Sequence, residues 1–155
     1  MYVKDALIDL EDTLSDDYIH SQDAINFCWE IPGLCPFGAV SFQRLFNTAI
    51  ANMLSRYIEK GIVIDGDDLM VQDEFVGKDK KIRKSGKVSV SITYSKDNVT
   101  LGHTGINIIA GDKAPSFAYS SNLTEDQANE FMNNVIDYFN AEVKDQFIAT
   151  TKIIV

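Results

Sequence analysis

The sequence predicts an α+β fold in which N-terminal helices and one C-terminal helix pack on an antiparallel sheet. Three observations carry this. Residues 42–58 hold a wide apolar stripe at helical spacing, and residues 88–94 alternate strictly between apolar and small polar side chains. Thr124-Glu125-Asp126-Gln127 then has the T-x-x-Q spacing of a capping box, at the head of a second amphipathic stretch. Helices, then a meander of strands, then a helix and a terminal strand is an α+β order. A chain of 155 residues suits one domain over 1–155, large enough to bury roughly 70% of its unfolded surface.

The elements follow in order. Val3, Ala6, Leu7, Leu10 and Leu14 recur at helical spacing, so residues 3–14 are expected to form an amphipathic helix. Asp16 and Asp17 suit the start of another helical turn. Residues 22–30 (QDAINFCWE) are read as a short helix that ends near Ile31, because the residue before Pro32 is pushed out of the α region. Ser41 is a good N-cap for the long helix, with Val40 and Leu45 at the spacing of a hydrophobic staple. Gly61 stands where a C′ glycine belongs.

Beyond Gly61 the period changes. Ile62–Ile64 and Leu69–Val71 read as a hairpin around Asp65-Gly66. KDKKIRKSGK (78–87) is read as a loop. Val88, Val90, Ile92 and Tyr94 form the apolar face of a strand whose serine face is expected to be wet. Lys96-Asp97-Asn98 makes the turn into a return strand carrying Val99, Leu101 and His103 on one face and extending through Ile106, Ile108 and Ile109. SFAYS (116–120) reads as a short strand. The Thr124 helix carries Ala128, Phe131, Met132, Val135, Ile136, Phe139 and Val143 on one stripe, and the closing KIIV reads as a final strand. The core expected from these patterns is Leu7, Leu10, Phe42, Leu45, Phe46, Ile50, Met53, Leu54, Val90, Ile92, Leu101, Phe131, Val135 and Phe139.

Composition narrows the function. No apolar run approaches the roughly 20 residues of a membrane span. The first 14 residues are acidic and amphipathic, unlike a signal peptide, so a cytoplasmic protein with reduced thiols is expected. Net charge is −9, sorted along the chain. Residues 1–30 hold eight acids and one lysine, and residues 59–74 hold six acids and one lysine. Residues 75–87 hold six bases against Asp79. Such a field repels nucleic acid and anionic membrane everywhere except at the basic run.

No motif for catalysis or a cofactor stands out. FCWEIPGLCPF (27–37) concentrates Cys28, Cys35, Trp29 and two prolines. The six-residue spacing misses the C-x₂₋₄-C of zinc sites and the C-x-x-C of redox pairs. The stretch reads as a corner where Phe27, Trp29, Leu34 and Phe37 cover the base of the long helix. In DGDDLMVQDE (65–74) the EF-hand count from Asp65 puts Met70 at position 6 and Val76 at position 12, so the calcium pattern fails. A weak magnesium site from Asp65, Asp67 and Asp68 stays open. His103 lies between glycines with no nucleophile at a recognisable spacing, and His20 has no evident partner.

With no acid/base constellation, the sequence reads as a non-enzymatic interaction protein. The expectation is a subunit of a larger assembly that pairs with itself or another protein; a small virion or phage-type structural subunit fits that description. No cofactor or metal is expected. Lys78, Lys80, Lys81, Arg83, Lys84 and Lys87 are the expected partner-binding residues, steering an acidic surface onto the basic run. Nucleic acid is the lesser candidate for it, since no aromatics interleave with the charges. Two alternatives come from other classes. One is an acidic inhibitor or immunity-type protein that covers a basic partner with residues 5–17 and 125–145. The other is a small-molecule enzyme with a site around His103, Asp112 and Tyr119.

Overall fold

The computed structural model describes residues 2–4, 10–15, 18–76 and 81–152, with backbone alone at 11–12, 73–76 and 81–85. The elements are β1 (Tyr2–Val3), α1 (Leu10–Leu14), β2 (Ile19–His20), β3 (Asp23–Pro32), α2 (Pro36–Leu54), β4 (Gly61–Asp65), β5 (Asp68–Val76), β6 (Lys81–Lys87), β7 (Ser89–Lys96), β8 (Val99–Ile109) and α3 (Glu125–Thr150). The fold is α+β. All strand pairs are antiparallel, in sheets ordered β3-β8-β7 and β4-β5-β6 with a small β1-β2 pair. Helices α2 and α3 pack together on the inner face of the β3-β8-β7 sheet.

The core is aromatic. Phe27 and Trp29 point inward from β3 against Phe42 and Phe46 of α2 and Phe131 and Phe139 of α3. Their ring centroids lie 5.2–6.4 Å apart, mostly edge to face. That geometry adds about 0.5–1.5 kcal/mol per pair to the area buried. The inner surface of Gly102 makes room for the indole: a methyl group there would overlap the Trp29 ring.

Several expectations are corrected. Residues 22–30 are not helical. The period-2 set Ile25, Phe27, Trp29 and Ile31 is buried on β3, and Pro32 is tolerated because it closes an edge strand. Val3 belongs to β1, paired with Ile19, and helix 3–14 is reduced to α1 among the described residues. The long helix begins at Pro36, not Ser41. Cys35 is its N-cap, the Gly38 N–H donates to Cys35 Sγ at 3.4 Å, and proline takes the first turn. Val40 and Leu45 are exposed, so the staple is not made, and Phe37 is 83% exposed rather than covering the helix base. Gly61 opens β4 instead of closing α2. Residues 81–87 form β6 rather than a loop. SFAYS contributes one isolated bridge, Lys87 to Ala118. Leu7, the Asp16-Asp17 turn and residues 153–155 of the final strand lie outside the described residues.

The hairpin around Asp65-Gly66, the β7–β8 pair and the capping box appear as expected. Gly66 takes φ 63°, and Asp97 and Asn98 take φ 51° and 63°, the two positive values a type I′ turn requires. Thr124 Oγ1 accepts from the Gln127 N–H while the Gln127 side chain accepts from the Thr124 N–H.

The serine face of β7 is inverted with respect to expectation. Ser89, Ser91 and Thr104 turn inward, beneath α2, and meet two buried polar residues of that helix. Gln43 Nε2 donates to Ser91 Oγ at 3.0 Å, and Thr104 Oγ1 donates to Asn47 Oδ1 at 3.2 Å. Asn47 Nδ2 donates to the Asp67 carbonyl at 2.8 Å. Val90, Ile92 and Leu101, expected in the core, share the outer face, and Leu101 is exposed there. Leu10 and Leu45 are exposed as well, and Met53 and Phe139 are partly buried at the core's margin.

Two substitutions test this packing by thermal or denaturant unfolding. Gly102→Ala is expected to lose about 3 kcal/mol by displacing the indole. Asn47→Ala is expected to lose about 2 kcal/mol by leaving buried hydroxyl and carbonyl groups unpaired.

Candidate functional site

The chain crosses from one three-stranded sheet to the other at Lys87-Val88-Ser89. The Val88 N–H donates to the Leu69 carbonyl of β5 at 2.9 Å, and its own carbonyl accepts from the Asn107 N–H of β8 at 2.9 Å. Ser89 Oγ accepts from the Leu69 N–H at 2.9 Å. Lys87, one residue earlier, faces Met70 of β5 in register. On its other edge the Lys87 N–H donates to the Phe117 carbonyl at 2.7 Å and its carbonyl accepts from the Tyr119 N–H at 2.8 Å. Segment 115–119 is thereby laid along Lys87.

These contacts frame an open, shallow cleft of about 60 Å³. Its apolar wall is formed by Ile19, Val90, Pro115 and Phe117, and its polar groups are on Lys87, His20, Asn107 and Ser89, with Tyr18 and Ala118 completing it. The chain carries 23 acids, yet none of the described lining residues is acidic. The Lys87 ammonium is ion-paired at 2.8 Å with the Asp68 carboxylate, which stands outside the lining; both side chains are about a third exposed. His20 Nδ1 is buried and finds no hydrogen-bond partner among the described residues, and Tyr2 lies edge-on to the His20 ring at 6.3 Å. A buried, unsatisfied ring nitrogen is expensive unless something bonds to it.

The basic run is divided by the fold. Lys78 and Lys80 lie outside the described residues. Lys81, Arg83 and Lys84 are on β6, where the register sets Arg83 opposite Glu74 and Lys84 opposite Asp73. Facing residue types of opposite sign supply the pairing signal that an apolar alternation would otherwise give. Lys87, the one of the six whose side chain is described, lines the cleft. The acidic turn engages cations of this chain: Asp67 lies 3.9 Å from Arg44, and Asp68 holds Lys87.

The other singled-out residues are dispersed. Cys28 and Cys35 are free, exposed thiols on β3 and at the head of α2. Tyr119 packs on Gly86 with the Lys60 ammonium 5.3 Å from its ring centroid, and Asp112 sits in the turn closed by the Ala114 N–H on the Gly111 carbonyl. His103 is on the outer sheet face opposite Cys28, where its Nε2 donates to Asn26 Oδ1 at 3.0 Å. Its neighbour is an amide, not a nucleophile. Sequence spacing gave no hint of the cleft, whose walls come from four distant segments.

Burial lowers the His103 pKa from its ordinary value of 6.5. The unfolded chain therefore takes up the proton first as pH falls. The stability attached to neutral His103 is complete above about pH 6.5 and is lost as pH drops through the lower folded value. His103→Gln is expected to flatten the fall in melting temperature between about pH 7 and pH 5; an unchanged slope would refute the assignment.

Among curated proteins, none matches the chain. Among solved structures, it is similar to a "Protein of Unknown Function from Pyrococcus horikoshi", with a TM-score of 0.76 and 19% identity over 99% of this chain and 76% of that one. That likeness speaks for the fold. A weaker likeness, to a lipoate-bound LipL1 of P. falciparum, has a TM-score of 0.46 and 16% identity over 95% of this chain and 45% of that one, and carries no argument. No helix among the described residues is long and apolar enough to cross a membrane. The family model described as "Domain of unknown function (DUF366)" matches residues 1–154, and the chain belongs to that family.

Proposed function

We propose that this protein binds a small organic anion in the cleft beside Lys87. The observation that supports the reading is charge selection: a protein of net charge −9 has a cleft whose described lining residues include one lysine and no acid. The Lys87 ammonium, shared with Asp68, is the cationic group an anion would meet among the described lining residues. Small-molecule sites combine an apolar wall with a few placed polar groups, and this cleft has that make-up. Ile19, Val90, Pro115 and Phe117 suit an apolar body, and Lys87 suits an anionic head.

A second reading, a protein-contact subunit, draws on the outer sheet face, which shares Val90 with the cleft wall. The outer face of the β3-β8-β7 sheet carries Val90, Ile92, Tyr94 and Leu101, and the last two are more than a third exposed. Exposed apolar side chains such as Tyr94 and Leu101 suit a protein partner. Of the six basic residues expected to bind a partner, Lys78 and Lys80 lie outside the described residues, and nothing in the fold adds to a virion role.

The cleft reading is tested by titrating ¹⁵N-labelled protein with hexanoate at low salt. Shifts are expected to cluster at residues 18–20, 87–90, 107 and 115–118. Lys87→Met is expected to weaken binding at least tenfold, about 1.4 kcal/mol or more. Equal binding by the variant would defeat the assignment of Lys87 as the anchor.

A further inference from the structure

Resting on the anion-site reading, we infer that Asp68 is a resident counter-ion that competes with the ligand's anionic group for the Lys87 ammonium and so sets the charge selectivity of the cleft. The pair is short, 2.8 Å, and about a third exposed on both sides, so an anion from solvent can reach the ammonium beside the carboxylate. Asp68 lies two residues before Met70, the register partner of Lys87, which places both charges on one face of the β5–β6 pair.

The turn that presents Asp68 is bolted in place. The Asp67 carbonyl accepts from the buried Asn47 amide at 2.8 Å, and Leu69 N–H is fixed by Ser89 Oγ at 2.9 Å. The Arg44 guanidinium lies against the surface of Gly66 and reaches Asp67 at 3.9 Å. A surface pair on two mobile arms would be averaged out by solvent; here the strand end carrying the carboxylate is held by α2 and by the sheet junction. An ammonium has three donor hydrogens, so the ligand's head group need not expel Asp68. It must approach a fixed like charge, and that repulsion acts on charged ligands and spares neutral ones of the same shape.

The test uses the full chain and two probes, hexanoate and its uncharged isostere hexanamide, followed by NMR titration at about 20 mM and 500 mM salt. Asp68→Asn is expected to tighten hexanoate binding about three- to tenfold at low salt, with the gain shrinking at high salt, and to leave hexanamide unchanged. Asp68→Ser serves the same purpose should the asparagine variant melt early. If wild type binds hexanoate through Lys87 and Asp68→Asn binds it no better, or if both probes shift together, the counter-ion role is overturned while the cleft reading stands. If neither probe shifts the cleft resonances in any variant, the anion-site reading fails and this inference falls with it.

Discussion

The two three-stranded sheets share one stretch of backbone at Val88, which is fully buried and gives its N–H to one sheet and its carbonyl to the other. Several buried polar groups at this crossing are paired across it. Ser89 caps the Leu69 N–H, and Asn47 on α2 reaches the Asp67 carbonyl on one side and the Thr104 hydroxyl on the other. A buried junction of this kind is stable only when its amides and hydroxyls are all paired, since each orphan costs roughly 1–3 kcal/mol. The serines beneath α2 are therefore structural partners of Asn47 and Gln43. They also fix where Lys87 stands, and with it the cleft.

Parts of this fold were legible because local chemistry decided them. Thr124 and Gln127 make a cap from four residues of sequence, Asp97 and Asn98 make a tight turn, and Val88 to Tyr94 alternate as a strand must. The errors arose where tertiary contacts overrode a local cue. Pro32 and Gly33 suggested the end of a helix, yet Ile25, Phe27, Trp29 and Ile31 held a period of two that only makes sense beneath a layer of helices. On β7 the alternation was right and the facing was wrong. Polarity alone assigns serine to water, and only the presence of Gln43 and Asn47 on the buried side of α2 reverses it.

The candidate site was less legible than the fold. Lys87 was counted as the sixth charge of a basic run, and its separate role depends on Asp68, nineteen positions earlier in a strand that pairs with its own. Phe117 and Pro115 reached the cleft through two main-chain hydrogen bonds to Lys87, which no side-chain pattern records. His20 belongs to a two-residue strand too short to show periodicity. A site assembled from four segments by backbone pairing leaves little trace in spacing.

The strap formed by residues 115–119 has a mechanical consequence. Because it is laced to the main chain of the same lysine that supplies the cleft's charge, floor and flank move as one body. Lifting that flank would first have to break its two main-chain hydrogen bonds to Lys87. On the anion-site reading, a ligand entering by the open mouth leaves those bonds intact, so its exchange should be quick and governed by diffusion rather than by the opening of a door.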